Sequence, residues 1–398
     1  MPARLLAALI AVAAARCAAA AAPHYRLRYD AAGETMAVRL CLPDAASNVR
    51  FDADEAAPRF IDELKREHGA IERHDDGWSA AGWQAGECLS YRAALGRIAD
   101  SGRRMAGARH GGDLVLDPSL WLLRVEDAGE DPATADVALA SGYSISAPWH
   151  PAGRDGETLR FTIPNTPEDW MARVAIGRFV EAPIALPGGT LRFSILSGAD
   201  VAERNKLAEW ISHVSRAALS AYGKLPLADV QLLMVPVRGE REPVGFGQST
   251  RGEGHALTLF VDPTQPVEAF DRDWVAVHEL SHLFHPYLGD RGSWLAEGLA
   301  TYYQNVLRAR AGLLTPAQAW EQIDAGFARG RSATSSGAPE LERASASMGE
   351  RHDFMRIYWS GTAYWLEVDA QLRRASGNRL GIDEALRRFD ACCLPSYR

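Results

Sequence analysis

Cysteine is scarce in this 398-residue chain: there are five, and no two have the spacing of metal-thiolate ligands. A cysteine-held metal module is therefore excluded. Positive charge is also short, with 43 lysines and arginines against 51 acidic residues and a net charge of -8. A protein devoted to nucleic acid needs a basic surface, so that class is set aside. After the N-terminal segment, no apolar run is long enough to span a bilayer. What remains is ordinary for globular protein, 47% hydrophobic and 24% charged, and long enough for two or three domains.

The N-terminus carries an address. Arg4 opens a basic start, residues 5–15 form an apolar core, and the alanines at 19–22 offer A-x-A-like cleavage. Residues 1–22 are read as a signal peptide. Arg16 leaves the apolar run too short for a retained anchor, and a bacterial lipobox wants a small residue before Cys17. A periplasmic or secreted protein is expected, with no stable membrane span after signal removal. That compartment permits disulfides, and Cys41 with Cys88 is the natural pair. A bridge between the adjacent Cys392 and Cys393 would be strained.

Residues 23–185 read as a β-rich domain. Short alternating stretches such as 25–29, 114–116, 137–139 and 159–163 are punctuated by proline and glycine clusters, with one helix at 57–69. After Gly189 the pattern changes. A strand at 191–196 precedes a helix from about Asp200, with Leu207, Trp210, Ile211 and Val214 at helical spacing. Strands at 230–237 and 256–261 flank a glycine-rich stretch at 244–247. A helix from near Val267 must end by His285, because Pro286 disfavours helix at the residue before it. Ser293 is placed as the N-cap of the next helix, and residues 315–318 as a capping box with Gly330 closing that helix. Residues 331–350 read as a loop, and a last helix spans 361–375. The predicted fold class is α+β: an N-terminal β-rich domain, then a catalytic domain over 186–398 with a mainly helical C-terminal lobe.

Only 11 histidines occur, yet two of them stand in His278-Glu279-Leu280-Ser281-His282. On a helix, residues four apart lie one above the other, so both imidazoles can share one metal ion. Glu279 then projects beside the metal, where it can accept a proton from water. Catalytic zinc wants a third protein ligand and an open position. Glu297, on the helix after the turn at 286–292, is the expected one, with Asp290 as a rival. His285 lies seven residues past His278, about 10 Å along the axis, and is assigned to packing or to support from behind. One Zn2+ per chain is expected. The bland alternative is a core helix with two hydrogen-bonded histidines.

These residues resemble the gluzincins. The run His278 to His282, followed by Trp294-Leu295-Ala296-Glu297-Gly298-Leu299-Ala300-Thr301-Tyr302-Tyr303, is most similar to the glycyl aminopeptidase family, with aminopeptidase N-like enzymes as relatives. The likeness extends to Tyr358-Trp359-Ser360-Gly361, matching a Tyr-x-x-Gly just before a helix. It implies a thermolysin-like catalytic domain in which Tyr358 hydrogen-bonds the oxyanion. Members often add a PDZ domain, and none is expected within these 398 residues. Relatives hold the substrate's amino group on a Gly-x-x-Glu strand, where this chain has Gly245-Phe246-Gly247-Gln248. Gly247 and Gln248 are thus expected to contact substrate without a paired charge, and Glu242 or Glu253 could substitute from the flanks. An acid that often follows the Glu ligand by four residues is replaced here by Thr301.

The resulting expectation is an exported zinc metallopeptidase acting on peptides or proteins, with an aminopeptidase as one form of it. His278, His282 and Glu297 bind zinc, Glu279 is the general base and acid, and Tyr358 stabilises the oxyanion. A binding or scaffolding protein that keeps the zinc but does not cleave is the alternative.

Overall fold

The computed structural model describes residues 22–102, 107–126, 131–167 and 170–393. The signal peptide assigned to residues 1–22 lies, but for its last residue, outside the described residues.

Alternation builds the front half. In the strand His24–Asp30, Tyr25, Leu27 and Tyr29 are buried while Arg26 and Arg28 face out. This strand pairs antiparallel with Thr35–Cys41 and parallel with Ala133–Ala138, at the centre of a seven-stranded sheet. Two four-stranded sheets complete this region. The helix expected at 57–69 is a single 3-10 turn, Ala57–Arg59, followed by the strand Ile61–Arg66. Pairing of Ile61 and Asp62 with Arg92 and Ala93 satisfies that backbone better than a short exposed helix could. Cys41 and Cys88 face each other across paired strands and are bonded, with S–S 2.05 Å. Cys392 and Cys393 are also joined to each other.

A five-stranded sheet follows, in the order Val180–Leu186, Gly189–Ile195, Asp229–Pro236, Ala256–Val261, Val244–Thr250. It straddles the expected boundary at 185–186. The helix Val201–Ala218 starts at Asp200 with a full capping box to Glu203. Its buried face of Leu207, Trp210, Ile211 and Val214 packs into a core shared with Leu232, Leu257 and Leu280. The front region has a separate core around Leu27, Leu40, Trp83 and Trp121.

The remainder is helical. Thr315 and Gln318 form the capping box of Pro316–Ser332, which runs two residues past Gly330. The stretch expected to be a loop at 331–350 contains helices Leu341–Ala346 and Met348–Arg351. The last expected helix starts earlier than predicted, at Phe354, and runs to Ser376 with Gly377 in the left-handed conformation. Ser293 is the first helical residue of Ser293–Arg310 and supplies no side-chain cap.

One ion pair ties the front sheet together beside the Cys41–Cys88 bridge. Glu87 accepts from Arg66 Nε (2.8 Å) and Nη2 (2.9 Å) and from the His68 and Gln84 N–H groups (2.9 and 3.0 Å). The two side chains are 2% and 0% exposed. The Arg66 guanidinium, with the backbone donors, draws the Glu87 carboxyl down to about 2. Glu87→Gln should lower unfolding free energy by about 3 kcal/mol at pH 7, because it strands a buried guanidinium. The folded value lies below the unfolded value of about 4.3, so this stabilisation holds above that pH and fades as pH falls towards about 2. Urea unfolding of parent and variant across that range checks it; a constant gap would contradict it.

Candidate metal centre

Three helices and one edge strand assemble the site. The first site helix was expected to run on from Val267 but is broken: Val267–Arg272 ends, and Val275–Ser281 begins anew. Asp273 makes the break, its carboxylate accepting the Val275 N–H at 2.7 Å and so competing with helical bonding. The short helix still places His278 one turn before His282, which opens the 3-10 turn His282–Phe284. The second site helix, Ser293–Arg310, returns antiparallel after the turn that includes Pro286 and carries Glu297 in its second turn.

Glu297 Oε2 lies 3.1 Å from His278 Nε2 and 3.7 Å from His282 Nε2. One ligand atom from each residue falls within 4.8 Å of the others. Asp290 is exposed and stands outside this group. Both histidines are buried, and their outer nitrogens are tied down. His278 Nδ1 is 2.8 Å from Gln304 Oε1. His282 Nδ1 is 3.0 Å from His285 Nε2, and His285 Nδ1 is 2.8 Å from Pro286 O.

These bonds fix tautomers. A carbonyl only accepts, so His285 carries its proton on Nδ1 and offers Nε2 as acceptor. His282 must then donate from Nδ1, leaving its Nε2 lone pair towards Glu297. His278 sets Nδ1 against Gln304 Oε1 and shares a proton on Nε2 with Glu297 Oε2 at 3.1 Å, a proton that a bound metal would displace. Burial, with His278, His285 and Arg251 adding to it, keeps His282 well below its usual range. Burial and Arg251 push His285 down to about 3. Burial disfavours charge on His278 too, but Glu297 outweighs it and the net shift is upward. Two imidazole Nε2 atoms and one carboxylate oxygen form a donor set suited to zinc, so the residues fit the expected ion.

Glu279 faces the same space. Burial raises its carboxyl to about 7, with His278 opposing and Glu297 reinforcing the shift, and the Ser249 N–H binds it. Ser249 lies on the edge strand Val244–Thr250, which passes close over the first site helix at Gly247. A Cβ at Gly247 would come within 2.5 Å of Val275 Cγ1 and 2.7 Å of Glu279 Cγ. Gln248 follows, its Oε1 accepting from Arg173 Nη2 at 3.0 Å and its Nε2 3.7 Å from Met171 Sδ. Glu242 is exposed; Glu253 is buried elsewhere, accepting from Trp149 Nε1 at 2.7 Å. Neither lines the cleft.

Tyr358 comes from the third site helix, Phe354–Ser376, and lies inside it rather than before it. Gly361 is not a helix start but the crossing point with the second site helix. A Cβ there would meet Trp294 O and, at 2.8 Å, Gly298 Cα. The Tyr358 ring lies 5.9 Å from that of His278, nearly parallel at 16°. Its hydroxyl bonds Glu297, and burial together with Glu297 moves the phenol well above its ordinary value. Gly247, Gln248, Glu279, Glu297 and Tyr358 all line one cleft of about 320 Å³. A larger hollow of about 530 Å³ on the outer face of the seven-stranded sheet holds no such cluster.

Two residues in the site escaped the sequence reading. Gln304 sits seven residues after Glu297, two turns along the same face, a signal that spacing could have supplied. Thr301, four residues after Glu297, makes no side-chain hydrogen bond from its hydroxyl among the described residues. Arg251 lines the cleft and donates Nη2 to His282 O (3.0 Å) and His285 O (3.1 Å), a contact that only the tertiary fold creates.

The profile of the M61 glycyl aminopeptidase family matches residues 279–368. No curated protein matches the chain by sequence. Solved structures do. An aminopeptidase N family protein from Idiomarina loihiensis aligns at 14% identity and TM-score 0.68, over 93% of this chain and 70% of that one. An M1 zinc metallopeptidase from Deinococcus radiodurans, a mutant bound to a Tyr-Ser-Ala substrate, aligns at 17% and 0.55 over 93% and 85%. Leukotriene A4 hydrolase from Saccharomyces cerevisiae aligns at 13% and 0.55 over 93% and 61%. These likenesses bear out the resemblance to gluzincin aminopeptidases and establish the α+β fold.

The bond behind His282 yields a prediction. His285→Ala should weaken zinc binding by about 10–100-fold, because His282 loses the acceptor that orients it. His285→Asn, which can still accept through its amide oxygen, should lose less. Competition against a chromophoric chelator measures both. An unchanged affinity in His285→Ala would show that His282 is oriented without its neighbour.

Proposed function

We propose that this protein is an exported zinc-dependent peptidase that hydrolyses peptide bonds with an activated water. One observation carries the reading: His278, His282 and Glu297 converge around a single point with Glu279 beside it. Zinc held by those three residues would act as a Lewis acid, polarising the scissile carbonyl and acidifying water. The family profile over residues 279–368 supports the same assignment.

The chain's own groups then divide the work. Glu279, buried and raised towards neutrality, takes the proton of the attacking water and passes it to the leaving amine. The upward shift of Tyr358 keeps its phenol protonated, so it donates a hydrogen bond to the oxyanion once it turns from Glu297. Gly247 leaves the edge-strand backbone bare beside Glu279, where an extended peptide can lie along it. Phe246, Tyr287 and Leu288 are exposed at the cleft and offer apolar surface to substrate side chains.

The wider reading rests on other observations. The separate cores support the division into a front β-rich domain, expected at 23–185, and a catalytic domain, expected at 186–398, with the strand Val180–Leu186 joining the second. The signal-like N-terminus and the Cys41–Cys88 bridge support a periplasmic or secreted location.

Glu279→Gln should retain zinc and lose at least about 100-fold in kcat/KM on a peptide library read by mass spectrometry. Tyr358→Phe should cost kcat roughly 100-fold while leaving zinc content unchanged. Chelation should abolish cleavage and zinc restore it. Stoichiometric zinc with no chelator-sensitive cleavage of any peptide would identify a binding protein instead.

A further inference from the structure

The charges in the cleft point to the kind of group it recognises. Two carboxylates line it, Glu279 and Glu297, and both are engaged at the reacting centre. No other acidic side chain lines the cleft among the described residues. Gln248 has its acceptor oxygen occupied by Arg173, while its amide nitrogen has only the sulfur of Met171 at 3.7 Å. A sulfur at that distance is a weak partner, so Gln248 presents N–H donors.

Arg251 lines the same cleft and carries a full positive charge. Its Nη2 is used by the carbonyls of His282 and His285, and its Nε is buried without a partner. Among the described residues no carboxylate comes within ion-pair distance of it. A half-buried guanidinium without a counter-anion is costly, and an anionic ligand would relieve that cost. An ammonium group beside Gln248 would meet N–H donors and a cation, and among the described residues no carboxylate beyond Glu279 and Glu297 lines the cleft to pair with it.

We propose that Gln248 and Arg251 form a subsite for a carboxylate of the bound peptide, and that the cleft does not anchor a free amino terminus there. The inference rests on the peptidase reading for its occupant, but its chemistry is independent of turnover. The carboxylate can be an acidic side chain or a C-terminal group, and both use the same donors.

Calorimetric titration of the full-length, zinc-loaded Glu279→Gln protein tests this without cleavage. Three peptide pairs differ at one group each: internal Glu against Gln, C-terminal carboxylate against amide, and free against acetylated N-terminus. At least one carboxylate pair should favour the acid by about tenfold or more, the size of one charge-assisted hydrogen bond. Acetylation should change affinity by less than about twofold. Arg251→Met in the same background should bring the acid-to-neutral ratio near one, and Arg251→Lys should preserve part of it. The proposal fails if acid and neutral peptides bind alike, if a free amine is preferred, if the Arg251→Met ratio is unchanged, or if no peptide binds. A retained acid preference in a protein whose parent cleaves nothing would sink the peptidase reading and leave this subsite standing.

Discussion

The Glu297 carboxylate is the constraint on which the site depends. It reaches both His278 and His282 only because the second site helix returns antiparallel to the first. It also holds Tyr358 from a third helix. That approach is set by backbone contact where Gly298 meets Gly361. Any larger residue at this crossing would push the helix of Tyr358 away from the helix of Glu297. Packing one residue from the ligand therefore decides whether the polar groups converge.

Burial then turns convergence into chemistry. In water, two histidines and two glutamates would take up protons independently. Here burial holds His282 and His285 neutral, and their bonds to each other and to Pro286 allow only one arrangement of protons. The same burial raises Glu279 into the range where a carboxyl both takes and gives a proton near neutral pH. One physical effect keeps His282 and the His285 behind it neutral on one side and gives a competent base on the other.

The parts legible in the sequence were those governed by local rules. Alternation gave the front strands, apolar spacing gave the helix from about Asp200, a capping box gave the start at Thr315, and fourfold spacing put His278 and His282 together. The errors arose where tertiary contact overrides local preference. Gly361 was expected to open a helix, but it lies inside one, where the close helix crossing leaves no room for a side chain. Residues 57–69 looked helical, yet a neighbouring strand claimed their backbone. Residues 331–350 looked like loop from their small residues, though Ala344 and Ser345 are buried in helix against the site helices. Arg251 offered no signal at all, since its partners are carbonyls more than thirty residues away.

Recognition and reaction are built on different elements. The reacting groups sit on helices whose spacing is fixed by a shared core. The residues proposed to meet substrate, Gln248 and Arg251, lie on and just after an edge strand, and Gln248 is oriented by Arg173 from the front β-rich region. Trp170 of that region also packs on Tyr287 at the cleft, with ring centroids 5.0 Å apart. The front region therefore supports two cleft residues, Gln248 and Tyr287, through Arg173 and Trp170. A substitution at 248 leaves the contacts of Glu279, His278 and His282 untouched, whereas Arg251 also anchors the carbonyls of His282 and His285. That separation explains how a chain can match a family through its reacting helices and still present a cleft of different charge.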